Sequence, residues 1–298
     1  MKLNILTILI VMFSITLSNA NENITDCNNL NMDKMNKDDN KRIVETYYLK
    51  VTSEEFESAI SEYLSDNYKE HQETADFSKN GLIEYYKKRQ KKYPISKIII
   101  HRIIAQDDLV FLHVEEKISD KLTFTHGELF LIRNSKIVEH WSAIQKHPKK
   151  LKSGRKMFDG QGVDYSKKSG VKYAEITKQS YIDAFTLPVP EAMEAIDKTT
   201  TNRYFQHNPS VADGKEPFIN SPQLLKKISK FGLKTTLNIQ KTIAEGDYIV
   251  TFSYFRLPLI YGNSVLFDLF RVTDNGKKDE HWDIGESFKK KNYEKIFK

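Results

Sequence analysis

The chain has two tryptophans, and both stand in the same tripeptide, Glu139-His140-Trp141 and Glu280-His281-Trp282, 282 − 141 = 141 residues apart. Three further matches lie upstream in the same order. Tyr68-Lys69-Glu70-His71 answers Tyr204-Phe205-Gln206-His207, and Ile103-Ile104-Ala105-Gln106-Asp107-Asp108 answers Thr242-Ile243-Ala244-Glu245-Gly246-Asp247. Glu128-Leu129-Phe130 answers Asp268-Leu269-Phe270. The spacing drifts by single insertions, as it does when loops vary between copies of one fold. A repeat this long means two whole domains rather than a solenoid of short units, and 298 residues suit two domains of ordinary size.

Local patterning agrees between the halves. Phe56, Ala59, Ile60, Tyr63 and Leu64 recur at helical spacing, and a second helix from Leu82 to Tyr93 ends at Pro94. Strands are predicted over Lys97–Ile104, Leu109–Glu115, Leu122–Arg133 and Lys136–Ile144, the last two joined by an Asn134-Ser135 turn. In the second half, helices over Tyr173–Phe185, Glu191–Thr199 and Gln223–Phe231 precede strands over Thr235–Ala244, Tyr248–Leu257, Ser264–Thr273 and Lys277–Ile284. Asn275-Gly276 supplies the matching turn. Helices followed by antiparallel strands make an α+β layer pair.

The ends and linkers complete the division. Residues 1–20 read as a signal peptide: Lys2, an apolar run from Leu3 to Leu17, and small residues at Ser18 and Ala20. The expectation is a secreted or periplasmic protein, cleaved after Ala20, with no stable membrane insertion afterwards. A disordered polar tail over 21–40, a first domain over 41–147, a basic linker over 148–172, a second domain over 173–286 and a basic C-terminal tail over 287–298 follow. Cys27 is the only cysteine, so no intrachain disulfide can staple the fold. The net charge of +6 is concentrated in Lys149, Lys150, Lys152, Lys167 and Lys168. These fall among Gly and Ser without interleaved aromatics, which reads as a solvated linker rather than a nucleic-acid surface.

With these residues in view, the second half resembles the SnoaL-like branch of the nuclear transport factor 2-like superfamily. Gln206-His207-Asn208-Pro209, Asp213-Gly214, Ile243 to Asp247, Phe267 to Val272 and Glu280-His281-Trp282-Asp283 carry the resemblance. The first half is a looser copy. The resemblance implies two tandem cone-shaped α+β barrels, each with three helices packed on a curved, mostly antiparallel sheet around an apolar cavity. It also implies that the two copies pack through the outer faces of their sheets as an intrachain pseudo-dimer. Fold alone leaves function open.

Proton transfer beside a carbonyl needs a base in a dry pocket and a donor for the developing enolate. His113, His126 and Glu128 form the candidate catalytic cluster of the first copy, and desolvation among phenylalanines is expected to raise the Glu128 pKa. Phe252 and Leu266 replace the two histidines in the second copy, which leaves Asp268, His281 and Asp283 as its catalytic candidates. Family cyclases and isomerases use a pocket carboxylate, and the resemblance puts that role on Asp283 or Asp268. His71, His140, His207 and Tyr254 are the substrate-binding candidates, and Trp141 and Trp282 read as core anchors. No motif calls for a metal or a cofactor. Two readings stay open: cofactor-independent acid/base catalysis (cyclase, isomerase or aldol type) on a small apolar carbonyl compound, or a non-catalytic module of the same fold that binds a small ligand or a protein.

Overall fold

The computed structural model describes residues 36–94, 96–220, 226, 235–258 and 262–298. Residues 1–20, read as a signal peptide, and most of the stretch read as a polar tail lie outside the described residues, as does nearly all of the helix expected over Gln223–Phe231.

The first unit opens with α1 (Lys37–Val51), which begins inside the stretch read as tail. Asn36 caps it by accepting from the Asp38 N–H, and Asp38 and Asp39 favour its positive end. Its buried residues Val44, Tyr47, Tyr48 and Val51 fall on one stripe. Then come α2 (Phe56–Tyr63), β1 (Leu64–Glu70), α3 (Lys79–Lys92), β2 (Lys97–Gln106), β3 (Leu109–Ser119), β4 (Leu122–Arg133) and β5 (Lys136–Lys146). The second unit is built likewise from α4 (Ser169–Thr186), α5 (Val189–Thr199), β6 (Thr200–Gln206), α6 (Lys215–Ile219), β7 (Thr236–Glu245), β8 (Tyr248–Leu257), β9 (Gly262–Val272) and β10 (Lys278–Ser287). A short α7 (Tyr293–Phe297) ends the chain.

The two five-stranded sheets have the same strand order, β1-β5-β4-β3-β2 and β6-β10-β9-β8-β7. In each, a short first strand lies parallel to the last one and the rest are antiparallel. Both short strands escape the periodicity signal because they are largely polar: Leu64–Glu70 shows only its two ends buried. The expected tight turn at Asn134-Ser135 is present, with both residues in the left-handed region at φ 50° and 61°.

Helices cover one face of each sheet. The other faces meet in one apolar cluster that includes Phe111, Leu129 and Trp141 from the first unit and Phe252, Phe267 and Trp282 from the second. Gly127 sits where a Cβ would come within 2.8 Å of the Phe267 ring, so only glycine admits this close approach. At the rim, four backbone amides bond across. Ala105 N donates to Glu245 Oε2 and Ala244 N to Gln106 Oε1. Ile144 N donates to Glu286 Oε2 and Gly285 N to Gln145 Oε1. Each bond in a pair repeats the other with the two units exchanged.

The segment over 148–172 is not the free tether its lysines suggested. Lys149, Lys150, Lys152 and Lys168 are exposed, but Leu151, Met157 and Phe158 are buried together. Arg102 of β2, itself buried, donates to the carbonyls of Phe158, Asp159 and Gln161 and to the Tyr248 hydroxyl. Its guanidinium lies 4.2 Å from the Trp282 ring. The last dozen residues dock as well, since the Trp141 Nε1–H donates to the Ile296 carbonyl and Ile296 is buried.

Candidate functional site

In the second unit an interior cavity of about 220 Å³ opens between helix and sheet. Its wall includes Tyr181 and Phe185 of α4, Phe218 of α6, Leu266 of β9 and His281 and Asp283 of β10. On the β10 wall, alternation turns His281 and Asp283 inward while Trp282 goes to the sheet–sheet core. His281 Nε2 lies 3.1 Å from Asp268 Oδ1, and its Nδ1 lies 3.0 Å from Gln206 Oε1. The Tyr181 hydroxyl donates to Asp268 at 2.9 Å. Asp283 accepts from the Asn208 side-chain amide. Burial pushes the Asp283 carboxyl up to about 6; His281 draws it down, and the neighbouring Asp268 raises it again.

The first unit holds a longer network in the corresponding interior. Glu70 faces His140 Nδ1 at 3.1 Å, and His140 Nε2 meets Glu128 Oε2 at 2.8 Å. His126 lies 3.1 Å from Glu128 Oε1 and 3.0 Å from Glu116 Oε2. Tyr48 donates to Glu128, Tyr68 to Glu70, and Arg89 pairs with Glu116. None of Tyr48, Glu70, Glu116, His126, Glu128 and His140 is more than 4% exposed. Each charge is answered inside the network, as buried charges require.

This interior overturns the expectation that desolvation lifts the Glu128 pKa. Burial does act in that direction, but hydrogen bonds from His126 and His140 outweigh it and hold the carboxyl well below the usual carboxylate range. His140 is the converse. Burial opposes its charge, and Glu70 with Glu128 keeps the imidazolium far above the ordinary histidine range. For His126 burial prevails over the pull of Glu128 and lowers the pKa.

His113 does not join this cluster. The β3–β4 register sets Leu112 opposite Glu128, Val114 opposite His126, and His113 opposite Gly127, so His113 emerges on the other face of the sheet. There its Nδ1 meets the Arg102 guanidinium at 3.1 Å. Burial, and then that positive charge, push its pKa well down. Alternation along one strand had been read correctly, but which faces of adjacent strands coincide depends on register.

His71 and His207 are also outside the interiors, in matching positions. His71 stacks on Trp141 at 4.6 Å, with Nδ1 2.7 Å from the Lys295 carbonyl and Nε2 2.9 Å from Glu139. His207 stacks on Trp282 at 4.6 Å, with Nδ1 2.6 Å from the Lys156 carbonyl and Nε2 2.9 Å from Glu280. Burial opposes protonation of His207, but Asp159 and Glu280 raise its pKa on balance. Both histidines fasten chain segments. Tyr254 turns toward the C-terminal end, donating to Asn263 and packing edge-on against Tyr293.

The structure thus brings together His126, Glu128 and His140 in one interior and Asp268, His281 and Asp283 in the other. Sequence reasoning passed over Tyr48, Glu70 and Glu116 in the first, and Tyr181, Gln206 and Asn208 in the second. Glu70 and Gln206 carried a signal, since each directly precedes the histidine of a repeated motif. Tyr48 and Tyr181 carried none, because helix-borne tyrosines in an apolar stripe look like plain core.

No family model and no curated protein matches the chain. Solved structures do. TsrD from Streptomyces laurentii is 20% identical at a TM-score of 0.30, over 38% of this chain and 89% of that one. IdmH from Streptomyces antibioticus, described as a proposed polyketide cyclase, is 15% identical at a TM-score of 0.32, over 36% of this chain and 91% of that one. A proposed isomerase of the SnoaL-like family from Agrobacterium tumefaciens is 12% identical at a TM-score of 0.32, over 39% of this chain and 99% of that one. These are likenesses of fold, each spanning less than two-fifths of this chain.

Proposed function

We propose that the second unit is a cofactor-independent acid/base site for a small apolar carbonyl compound, with Asp283 as the base. The observation that carries this reading is the placement of Asp283 on the wall of an apolar cavity, beside His281 and within hydrogen-bonding reach of Asn208. A carboxyl raised to about 6 is ionised at neutral pH yet basic enough to take a proton from carbon next to a carbonyl. Asp268 and Tyr181 hold His281 in orientation. Gln145, which reaches this cavity from the first unit, spends its Oε1 on the Gly285 amide and keeps its NH2 for a ligand oxygen. Leu266 stands where the first unit has His126, and Asp283 where it has Ser142. Those exchanges favour an open apolar cavity here and a closed, self-satisfied interior there, so the first unit is read as a non-catalytic scaffold. The protein is taken to act outside the cytoplasm after cleavage at Ala20, as an intrachain pseudo-dimer of its two units.

The test is α-hydrogen exchange of 2-tetralone in deuterated buffer, followed by NMR. The wild-type chain is expected to accelerate exchange, with a rate that rises with pH through about 6 as Asp283 ionises. Asp283→Asn is expected to lose about 100-fold or more of that acceleration. An Asp283→Asn variant as fast as wild type would remove the base from this site.

A further inference from the structure

At the first residue of β10, five before Asp283, the side chain of Lys278 is completely buried. In the first unit the matching position is Ile137, which pairs with Leu64 as Lys278 pairs with Thr200. An amine has therefore replaced a core aliphatic group. Buried lysines are ordinarily paired with a carboxylate, but among the described residues Lys278 has none within ion-pair distance. Its Nζ donates to Ser180 Oγ at 2.7 Å and lies 5.6 Å from the centre of the Phe218 ring.

The surroundings are polar without being satisfied. Among the described residues, the buried hydroxyls of Thr177, Thr200 and Tyr204 have no hydrogen-bond partner. Such groups are destabilising unless something answers them. The Tyr204 ring packs against Phe218 on one side, at 5.6 Å, and against His281 on the other, at 6.2 Å. Phe218 and His281 both line the cavity. The amine thus lies against Phe218, an aromatic wall shared with the cavity, beside Ser180 and on the strand neighbour of Thr200, whose buried hydroxyl is unanswered among the described residues.

We propose that Lys278 is a carbonyl-capturing nucleophile that binds an aldehyde or ketone as an imine. The Nζ lone pair forms the new bond to the carbonyl carbon while the C=O π pair moves to oxygen. Loss of that oxygen as water, with the two amine hydrogens, leaves C=N and balances the step. Ser180, which accepts from the amine and donates to the Thr177 carbonyl, is the hydroxyl within reach of the departing oxygen. The amine must be neutral to attack, and burial holds the Lys278 pKa down to about 7 against the opposing pull of Asp183. Along a strand rising ~3.3 Å per residue, Lys278 and Asp283 are roughly 15 Å apart. One small carbonyl cannot serve both, so this site stands independently of the Asp283 reading.

The experiment is reductive trapping on the full chain with limiting pentanal and cyanoborohydride at pH 7, read by peptide mass mapping. Lys278 is expected to gain the pentyl group at least ten times faster than its neighbour Lys277. Phe218→Ala should speed it further, Asp283→Asn should leave it unchanged, and the Lys278→Met chain should show no fast site. Labelling of Lys278 no faster than Lys277 in the wild-type chain overturns the proposal, whatever Phe218→Ala does. Fast labelling in a chain whose 2-tetralone exchange ignores Asp283→Asn would sink the acid/base reading and leave this one standing.

Discussion

Glu128 and Asp268 hold the same place in the two sheets, opposite Leu112 and Thr251, and each accepts from the histidine of a Glu-His-Trp motif. What differs is what else surrounds them. Glu128 answers two imidazoles and a tyrosine, and its removal strands His140 between Glu70 and an amide. Glu128→Gln is therefore expected to cost about 3–5 kcal/mol, as breaking a buried pair does. At roughly 2–4 °C per kcal/mol for a chain of this size, the melting temperature should fall by about 6–20 °C. A variant melting within 2 °C of wild type would show that the network is not structural. The pH dependence follows from the two shifts. Glu128 is depressed, so its contribution is present above its ordinary value of 4.5 and is lost as pH falls through the lowered one. His140 is raised, so its contribution is complete below 6.5 and is lost as pH rises through the raised value. The wild-type-minus-variant difference in melting temperature should be greatest between about pH 4.5 and 6.5 and shrink on both sides. The identities of His126, Glu128, Asp268, His281 and Asp283 as interior polar groups were legible from strand alternation. The direction of the Glu128 shift was not, because it depends on His140 arriving from the next strand.

At the scale of elements, the two segments that follow each sheet exchange places. The chain after β5 fastens onto His207 and Trp282 of the second unit through the carbonyls of Lys156 and Asp159. The chain after β10 fastens onto His71 and Trp141 of the first through the carbonyls of Lys295 and Ile296. Cations repeat the exchange: Arg102 of the first unit lies over Trp282, and Lys241 of the second lies 4.3 Å from the centre of Trp141. Removing residues 290–298 would uncover the Trp141 edge and lose the buried Ile296, worth about 2 kcal/mol by area alone. The truncated chain should unfold at lower denaturant, and its tryptophan emission should shift to the red. Unchanged emission and midpoint would show that the clamp carries no stability. Neither segment was legible as structure, since lysine-rich stretches with glycine and serine read as solvated. Their few apolar residues gain meaning only when an aromatic surface is offered to them.

Within Asn36–Lys298 the two sheets meet over a shared apolar core, rimmed by the four reciprocal amide bonds. Scattering from a chain that starts at Asn36 should give a radius of gyration of ~18 Å. A value several ångströms larger would mean that the sheets part. Glu286 belongs to this scale as well. Burial raises its carboxyl to about 7, against the Ile144 amide bond, with Glu128 adding to the rise. A raised acid stabilises at low pH and gives that stability back as pH climbs from its ordinary range toward the raised value, so Glu286→Gln should be most stabilising above neutrality. Melting curves at pH 6 and 8 would check the sign. The two-fold layout of helices and antiparallel strands, the four long strands of each sheet and the shared inward face of His126 with Glu128 and of His281 with Asp283 were legible in the sequence, because repeats and periodicity are local, linear signals; the short polar strands β1 and β6 were not. The tertiary structure alone decided that His113 leaves the cluster, that His71 and His207 fasten segments, and that Lys278 is enclosed. Strand register and the docking of distant chain settle those fates, and each depends on contacts between residues far apart in sequence.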